Sequence, residues 1–338
     1  MKKTIKLFLV SVLLVFFAGT ANATLGLRAA YQNAALSVDA WGSDLVSGLI
    51  QSDVPAGSTV LAAFLYSSDV WGTGVAGDVT LNGTFYSSNS GTLLTPDNNP
   101  VNTRVYDVTS AVKSIIESGS GVIDHSIAEG GYSDGEVLAI VYSNASTIGN
   151  TAIIMDGELS TFGDSTTLSF ASPYVSGDLF ASLAISYSYG DEQNTQINIT
   201  TDSTEKRRLT SAAGSNDDAG FVGGNGTLIT AGGVGDNPAN PDNPYATGGG
   251  YDDEFYNLAL GNGVNSNPFI AAGDTFLTLD TLNPSNDDNV FALFLSSTFS
   301  VSKIDDEIID DHNKPVPEPS TFLLLGVGLL AFSSRRRR

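Results

Sequence analysis

Cysteine is absent from the 338-residue sequence, and histidine occurs only twice, at His125 and His312. Without thiolates the chain has no cysteine nucleophile, no disulfide, and no Cys-ligated zinc or iron–sulfur site. Two histidines leave little room for a His-rich metal site or a Ser-His-Asp relay. Basic residues are also scarce, at 15 against 37 acidic residues, and the formal charge is −22. We expect no nucleic-acid partner, because the phosphate backbone would be repelled.

The remaining composition is typical of a folded chain. Only 15% of the residues are charged, whereas 41% are hydrophobic and 36 are glycines. A disordered acidic chain would have fewer apolar residues and more charge. The length suffices for one large domain or two smaller ones.

The amino terminus has the three regions of a secretory signal peptide. Lysines near the start precede an apolar run over residues 7–19, and Ala21 and Ala23 then form an A-x-A cleavage site. An apolar run of about 13 residues, at about 1.5 Å each, is too short for a hydrocarbon core about 30 Å thick. We therefore expect signal peptidase to remove residues 1–23 by cleavage before Thr24.

The carboxyl terminus carries three further segments in a fixed order. Pro317, Glu318 and Pro319 form a short Pro-Glu-Pro motif, which an apolar run over residues 322–332 follows. The chain then ends in a basic cluster of four residues, Arg335, Arg336, Arg337 and Arg338. By the positive-inside rule this cluster stays in the cytoplasm, while the chain that precedes the tail lies outside. The apolar run is short for a permanent transmembrane helix.

This order of Pro-Glu-Pro motif, apolar segment and arginine cluster resembles the PEP-CTERM sorting signal of Gram-negative bacteria. The resemblance implies that residues 316–338 are a sorting tail with a hydrophobic helix, which enters the inner membrane transiently. It also implies that an exosortase recognises and processes the tail, which leaves the protein at the cell surface or outside the cell. Members of that family tend to come from bacteria that make extracellular polysaccharide.

The body over residues 24–301 alternates short β-rich runs with clusters of Gly, Asn, Asp, Ser and Pro. Residues 138–142 and 291–295 are apolar at successive positions and are therefore expected to be central strands, buried on both faces. One helix is predicted near residues 108–118, and Gly119 should end it. Many short strands with one helix predict an all-β fold, an antiparallel β-sandwich of jelly-roll type, with one domain or two subdomains.

Residues 302–315 lie between this body and the tail, and their acidic composition predicts a solvated linker. The body also resembles uncharacterised β-sandwich domains of secreted bacterial proteins. That resemblance rests on the runs VYDVT at residues 105–109 and GEVLAIVY at residues 135–142, and on acidic motifs near residues 252–258 and 283–291. It implies no activity.

Acidic and amide-rich clusters supply the candidate metal ligands. Calcium prefers six to eight hard oxygens, which loops dense in Asp, Asn and Gly provide. The candidate calcium ligands are Asp252, Asp253, Asp287 and Asp288. The alternative is that these residues only cap turns between strands, which is their common role.

Tyrosine side chains in a Gly-rich stretch are the candidate platforms for a sugar ring. An aromatic face offers an apolar surface on which such a ring stacks, and Tyr245 and Tyr251 are the candidates. Trp41 and Trp71 are expected in the core, which is the more frequent position of tryptophan. His125 has an acidic neighbour but no third partner, so we expect a structural role for it.

We expect no catalytic residues. The alternative is a glycoside hydrolase that uses an Asp/Glu pair, such as Glu136 or Glu254 with Asp253. Glu136 follows a glycine at a predicted strand start, so a capping role at the surface explains it.

The principal hypothesis is an exported, exosortase-processed protein of the cell surface or extracellular matrix, with a structural or interaction role linked to exopolysaccharide or biofilm. The alternatives are a calcium-dependent glycan-binding module and, less favoured, a secreted carbohydrate-active enzyme. The expected partners are signal peptidase and exosortase during export, and extracellular polysaccharide afterwards.

Overall fold

β-Strands make up most of the chain that the structure describes. The computed structural model describes residues 25–42, 45–70, 77–94, 101–131, 133–157, 163–186, 195–213, 229–241, 244–245, 254–282, 289–309 and 314–315. The strands pair antiparallel in four sheets, which confirms the predicted all-β class.

The first half of the chain forms a jelly roll, which we call roll 1. Its inner sheet has the strand order β2-β10-β4-β8-β7, and its outer sheet has the order β3-β9-β5-β6. Because the chain moves repeatedly between the two sheets, this order is that of a double Greek key. The strands are β2 (Ala35–Gly42), β3 (Ser47–Val54), β4 (Thr59–Val70), β5 (Val79–Leu81), β6 (Thr84–Tyr86), β7 (Thr92–Leu93), β8 (Val101–Asp107), β9 (Gly121–Glu129) and β10 (Gly135–Ser143).

The second half repeats the same topology in roll 2. The inner sheet contains the order β16-β13-β19-β11, with β17 also paired to β13, and the outer sheet contains β15-β14-β18-β12. Each of these strands takes the place of its counterpart in roll 1, so the protein is a double jelly roll. The strands are β11 (Thr151–Asp156), β12 (Ser165–Phe170), β13 (Leu179–Ser186), β14 (Thr195–Thr201), β15 (Arg207–Ala213), β16 (Ile229–Ala231), β17 (Phe255–Asn257), β18 (Phe276–Leu282) and β19 (Asn289–Ser297).

The two inner sheets pack face to face, so the four sheets form a stack with three apolar layers. Strand β10 lies between two apolar layers, which explains why its sequence is apolar on both faces. Leu138 and Ile140 pack inside roll 1, whereas Val137, Ala139 and Val141 pack in the layer between the rolls. This confirms the predicted central strand. Strand β19 contributes in the same way to roll 2 and to the shared layer.

A polar contact joins the rolls within the shared layer. Tyr66 of roll 1 lies with its ring centroid 5.9 Å from that of Phe291 and 5.8 Å from that of Phe294. Its hydroxyl donates to Oδ2 of Asp156 at 2.9 Å, and Nε of Arg28 donates to the same oxygen at 2.6 Å. The buried carboxylate of roll 2 is thus stabilised by a donor from each side.

Helix α1 (Thr109–Ser118) covers one end of roll 1, close to the predicted bounds. Val112 and Ile116 are buried, and Gly119 ends the helix as predicted. The N-cap residue is Val108, without a side-chain cap, while Asp107 accepts a bond from the amide of Thr109 at 2.9 Å. Among the described residues, no helix is long and apolar enough to cross a membrane.

The residues after β19 differ from the predicted solvated linker over 302–315. They form β20 (Val301–Ile304), β21 (Glu307–Ile308) and β22 (Lys314–Pro315), which extend the sheets of roll 2. Ile304 and Ile309 are buried in the core of roll 2, whereas Ile308 is exposed. The first strand, β1 (Gly26–Gln32), also joins roll 2, between β11 and β22.

Candidate functional site

Most of the predicted site residues lie outside the described residues. These are the cleavage-site residues Ala21, Ala23 and Thr24, the motif Pro317, Glu318 and Pro319, the cluster Arg335, Arg336, Arg337 and Arg338, the candidate calcium ligands Asp252, Asp253, Asp287 and Asp288, and Tyr251. Trp71 and the predicted apolar helix of the tail also lie outside. Within the described ranges, no group of three or more His, Cys, Asp or Glu side chains is arranged to hold a metal ion.

Tyr245 is the one stacking candidate in the described part of the chain. Its side chain is 37% exposed, and its hydroxyl donates to the carbonyl of Arg208 at 3.1 Å and accepts from Nδ2 of Asn262 at 2.7 Å. The side chain is therefore held in one orientation by its own hydroxyl.

Trp41 and His125 are structural, as expected. Trp41 is buried, and its indole lies so close to Gly48 that a Cβ at that position would collide with the ring. His125 is buried between Ser52 and Asn82, which lie 2.9 Å from Nε2 and Nδ1 respectively. Because the amide of Asn82 donates to Nδ1, the proton is assigned to Nε2. Burial lowers the pKa of His125, so the neutral form is favoured.

Glu136 does not cap a strand at the surface, and that prediction is wrong. The side chain is fully buried, because β10 runs along the middle of the inner sheet and the outer sheet of roll 1 covers that face. Its Oε1 accepts from the hydroxyl of Ser67 at 3.1 Å, while Oε2 is buried without a partner within the described residues. Such an oxygen is costly as an anion and is stabilised by protonation.

Two further carboxyl groups lie at the same end of roll 1. Asp69 follows Ser67 on the inner-sheet face that points into the roll, and Glu129 points inward from the outer sheet. Oδ2 of Asp69 and Oε1 of Glu129 are also buried without partners among the described residues. Asp134 lies close enough to act electrostatically on Asp69, Glu129 and Glu136. We call these four residues the acidic cluster.

Burial sets the protonation state of the acidic cluster. It raises the pKa of Glu136 to about 8, with a smaller increase from the charge of Asp134 and a decrease from the Ser67 hydrogen bond. Burial and the charge of Glu136 raise the pKa of Glu129 well above its ordinary value. Burial and Asp134 raise the pKa of Asp69 to about 6. Carboxyl groups that keep their protons at neutral pH serve as hydrogen-bond donors or general acids.

A second site lies between the rolls, where the inner sheets diverge to leave a cleft of about 250 Å³. Roll 1 lines it with Ala35, Leu36 and Val38 of β2 and with Tyr142 of β10, whose side chain packs against the core of roll 1. Roll 2 lines it with residues of β13, β17 and β19, which are Phe180, Ser182, Phe255, Phe294 and Ser296, and with Thr298 beyond β19. Asn150 and Gly233 complete the lining. Since Thr298 is exposed and most other lining side chains are half-buried, the cleft opens to solvent on one side.

The comparison with known proteins assigns the tail. Residues 315–338 match the PEP-CTERM protein-sorting motif. The chain is an exported surface protein that an exosortase targets. No curated protein sequence matches this chain.

One solved structure resembles the body. It is the crystal structure of the major capsid protein P2 from bacteriophage PM2, at 12% sequence identity and a TM-score of 0.22, with 79% of this chain and 98% of that chain covered. The TM-score is low, and the double jelly roll is assigned from the strand order of this chain.

Neither the acidic cluster nor the cleft was predicted from sequence, whereas the sorting motif was. The cleft combines side chains more than 200 residues apart in the chain, and the phenylalanines that line it look like ordinary core residues. The one sequence signal for the acidic cluster was the position of Glu136 in a strand that is apolar on both faces. Such a strand is covered on both sides, so a glutamate within it is expected to be buried.

Proposed function

We propose that this protein is an exosortase-processed component of the cell surface or extracellular matrix, with a structural or interaction role linked to exopolysaccharide or biofilm. The single observation that carries the proposal is the sorting motif over residues 315–338. The fold is consistent with it, since the two outer sheets of the stack each have one face on the surface. The formal charge of −22 keeps such a surface soluble and favours neutral or cation-bridged partners.

The intact mass of the protein recovered from its host tests the sorting. We expect a mature chain that begins at Thr24 and has lost the arginine cluster. A chain that still ends in Arg338 would contradict the proposal. The variant Glu318→Ala should accumulate unprocessed in the inner membrane, whereas the control Glu307→Ala, on the exposed β20–β21 hairpin, should be processed normally.

The cleft favours a second candidate, a glycan-binding module, and calcium dependence remains part of that proposal. Binding of the host exopolysaccharide to the purified protein is measured with calcium and then with a chelator. Loss of binding on chelation, together with the same loss in Asp252→Asn and Asp287→Asn, would support a calcium-organised loop. Equal binding in both conditions would remove calcium from the proposal. Shortening of the polysaccharide in that assay would instead support the carbohydrate-active enzyme.

A further inference from the structure

The cleft between the rolls has one aromatic wall. The rings of Phe180 on β13 and Phe255 on β17 lie with centroids 5.6 Å apart and planes 30° apart. Both side chains are on the face of the inner sheet that points toward roll 1, because Phe255 pairs across the strands with Ser182, two residues from Phe180. Both rings are only half-buried. They leave an apolar surface open to a ligand.

The cleft also carries polar groups that the protein leaves unused. Within the described residues, no side-chain hydrogen bond engages the amide of Asn150 or the hydroxyl of Ser296, although both residues line the cleft. Ser296 is the cross-strand neighbour of Phe180, so a hydroxyl stands next to the aromatic wall. A ligand without polar groups would cover these donors and acceptors without replacing water.

Hydrogen bonds and a close backbone approach hold the floor of the cleft together. Val234 donates its amide to the carbonyl of Val38 at 2.9 Å, and this bond ties a loop of roll 2 to the edge strand β2 of roll 1. A Cβ on Gly233 would collide with that carbonyl, so the close approach requires glycine. The hydroxyl of Ser182 donates to the carbonyl of Gly232 at 2.5 Å. A binding surface held in this way loses little conformational entropy when a ligand enters.

We propose that this cleft binds a single neutral pyranose ring, with one apolar face against Phe180 and Phe255 and the hydroxyl edge toward Asn150 and Ser296. A volume of about 250 Å³ has room for one ring. The acidic protein disfavours anionic sugars, which points to a neutral ring. The inference deepens the interaction role proposed above and rests on it for the presence of glycans, but its test is independent of sorting.

The test uses the full chain in detergent and a panel of methyl pyranosides and N-acetylhexosamines as probes, measured by saturation-transfer NMR and titration. We expect at least one sugar to bind, about tenfold more weakly to Phe180→Ala, and not measurably to Ser296→Leu, which fills the cleft. The control Phe85→Ala removes a ring that is 62% exposed on the outer sheet of roll 1, and it should bind as the wild type does. Thermal unfolding confirms that each variant is folded.

The outcomes separate the alternatives. Absence of binding by every sugar overturns the inference, as does binding of toluene without binding of sugars, which would mark an apolar-ligand site. Sugar binding that both cleft variants retain places the site elsewhere and overturns the cleft assignment. In that last case the glycan interaction proposed for the protein still stands, and exopolysaccharide binding that is lost only in the calcium-ligand variants would locate it in the Asp-rich loops.

Discussion

Replacing Glu136 by glutamine is expected to stabilise the protein at alkaline pH and to leave it nearly unchanged at acidic pH. The glutamine carbonyl can still accept the hydroxyl bond from Ser67 at the position of Oε1. The substitution removes the charge that ionisation would place between the two sheets of roll 1. Asp134 lies close to the same space, so the ionised group would meet a like charge.

The magnitude follows from proton linkage. The ordinary carboxyl pKa is 4.5, and burial raises the pKa of Glu136 to about 8. Between these values the folded chain holds one more proton than the unfolded chain, so the free energy of unfolding falls by about 1.4 kcal/mol per pH unit. The effect is absent below pH 4.5 and constant above the folded pKa. From pH 5 to pH 8, Glu136 therefore costs the wild type roughly 2–4 kcal/mol.

Urea unfolding at pH 5 and pH 8 measures this difference. We expect Glu136→Gln to be within about 1 kcal/mol of the wild type at pH 5 and roughly 2–4 kcal/mol more stable at pH 8. Glu307→Gln, on an exposed hairpin, controls for the general effect of removing one negative charge. A stability difference between Glu136→Gln and wild type that is the same at both pH values would refute the reasoning.

Three further substitutions test the contacts that hold the rolls. Tyr66→Phe removes the donor to buried Asp156 and should cost roughly 1.5–3 kcal/mol of unfolding free energy, measured by urea unfolding; no change would show that the bond is not formed. Gly233→Ala should lower the melting temperature because its Cβ collides with a backbone carbonyl, whereas Gly26→Ala, which has room for a Cβ, should not. His125→Ala leaves two buried polar partners unpaired and should cost about 2–4 kcal/mol, and an unaltered calorimetric transition would contradict its structural role.

The fold class and the central strands could be predicted because apolar alternation reflects burial directly. Residues 138–142 and 291–295 are apolar at successive positions, and both segments lie in inner sheets that are covered on both faces. The helix could be located because Val112 and Ile116 are spaced to share one face, and a glycine ends the segment.

The duplication of the jelly roll could not be predicted, because topology is conserved between the rolls without a repeat in the sequence. Strand pairing depends on which edges meet in space, and no local pattern records that order. The residues after β19 looked like a solvated linker because Asp305 and Asp306 dominate the composition. These two residues occupy the turn of a hairpin, and Ile304 and Ile309 on either side of it are buried in the core of roll 2. The acidic composition of the segment thus concealed the apolar residues that pack it against roll 2.

The acidic cluster escaped prediction for a related reason. A glutamate at a strand start is exposed when its sheet has one free face, and the covering sheet of roll 1 comes from other parts of the chain. The cleft depends on side chains from both rolls, which lie far apart in the sequence. The sorting tail needed no such long-range information, since its three segments are contiguous.

The position of β1 sets the order in which an exported chain completes its fold. Roll 1 is built from contiguous strands within residues 35–143, so it can form as soon as that segment has emerged. β1 precedes it but pairs with β11, and Arg28 meets its carboxylate partner 128 residues later. Until β11 is available, the backbone groups of β1 have no partner strand. Pairing of segments so distant in the sequence is slow. The amino-terminal strand can therefore pair only after β11, the first strand of roll 2, has emerged.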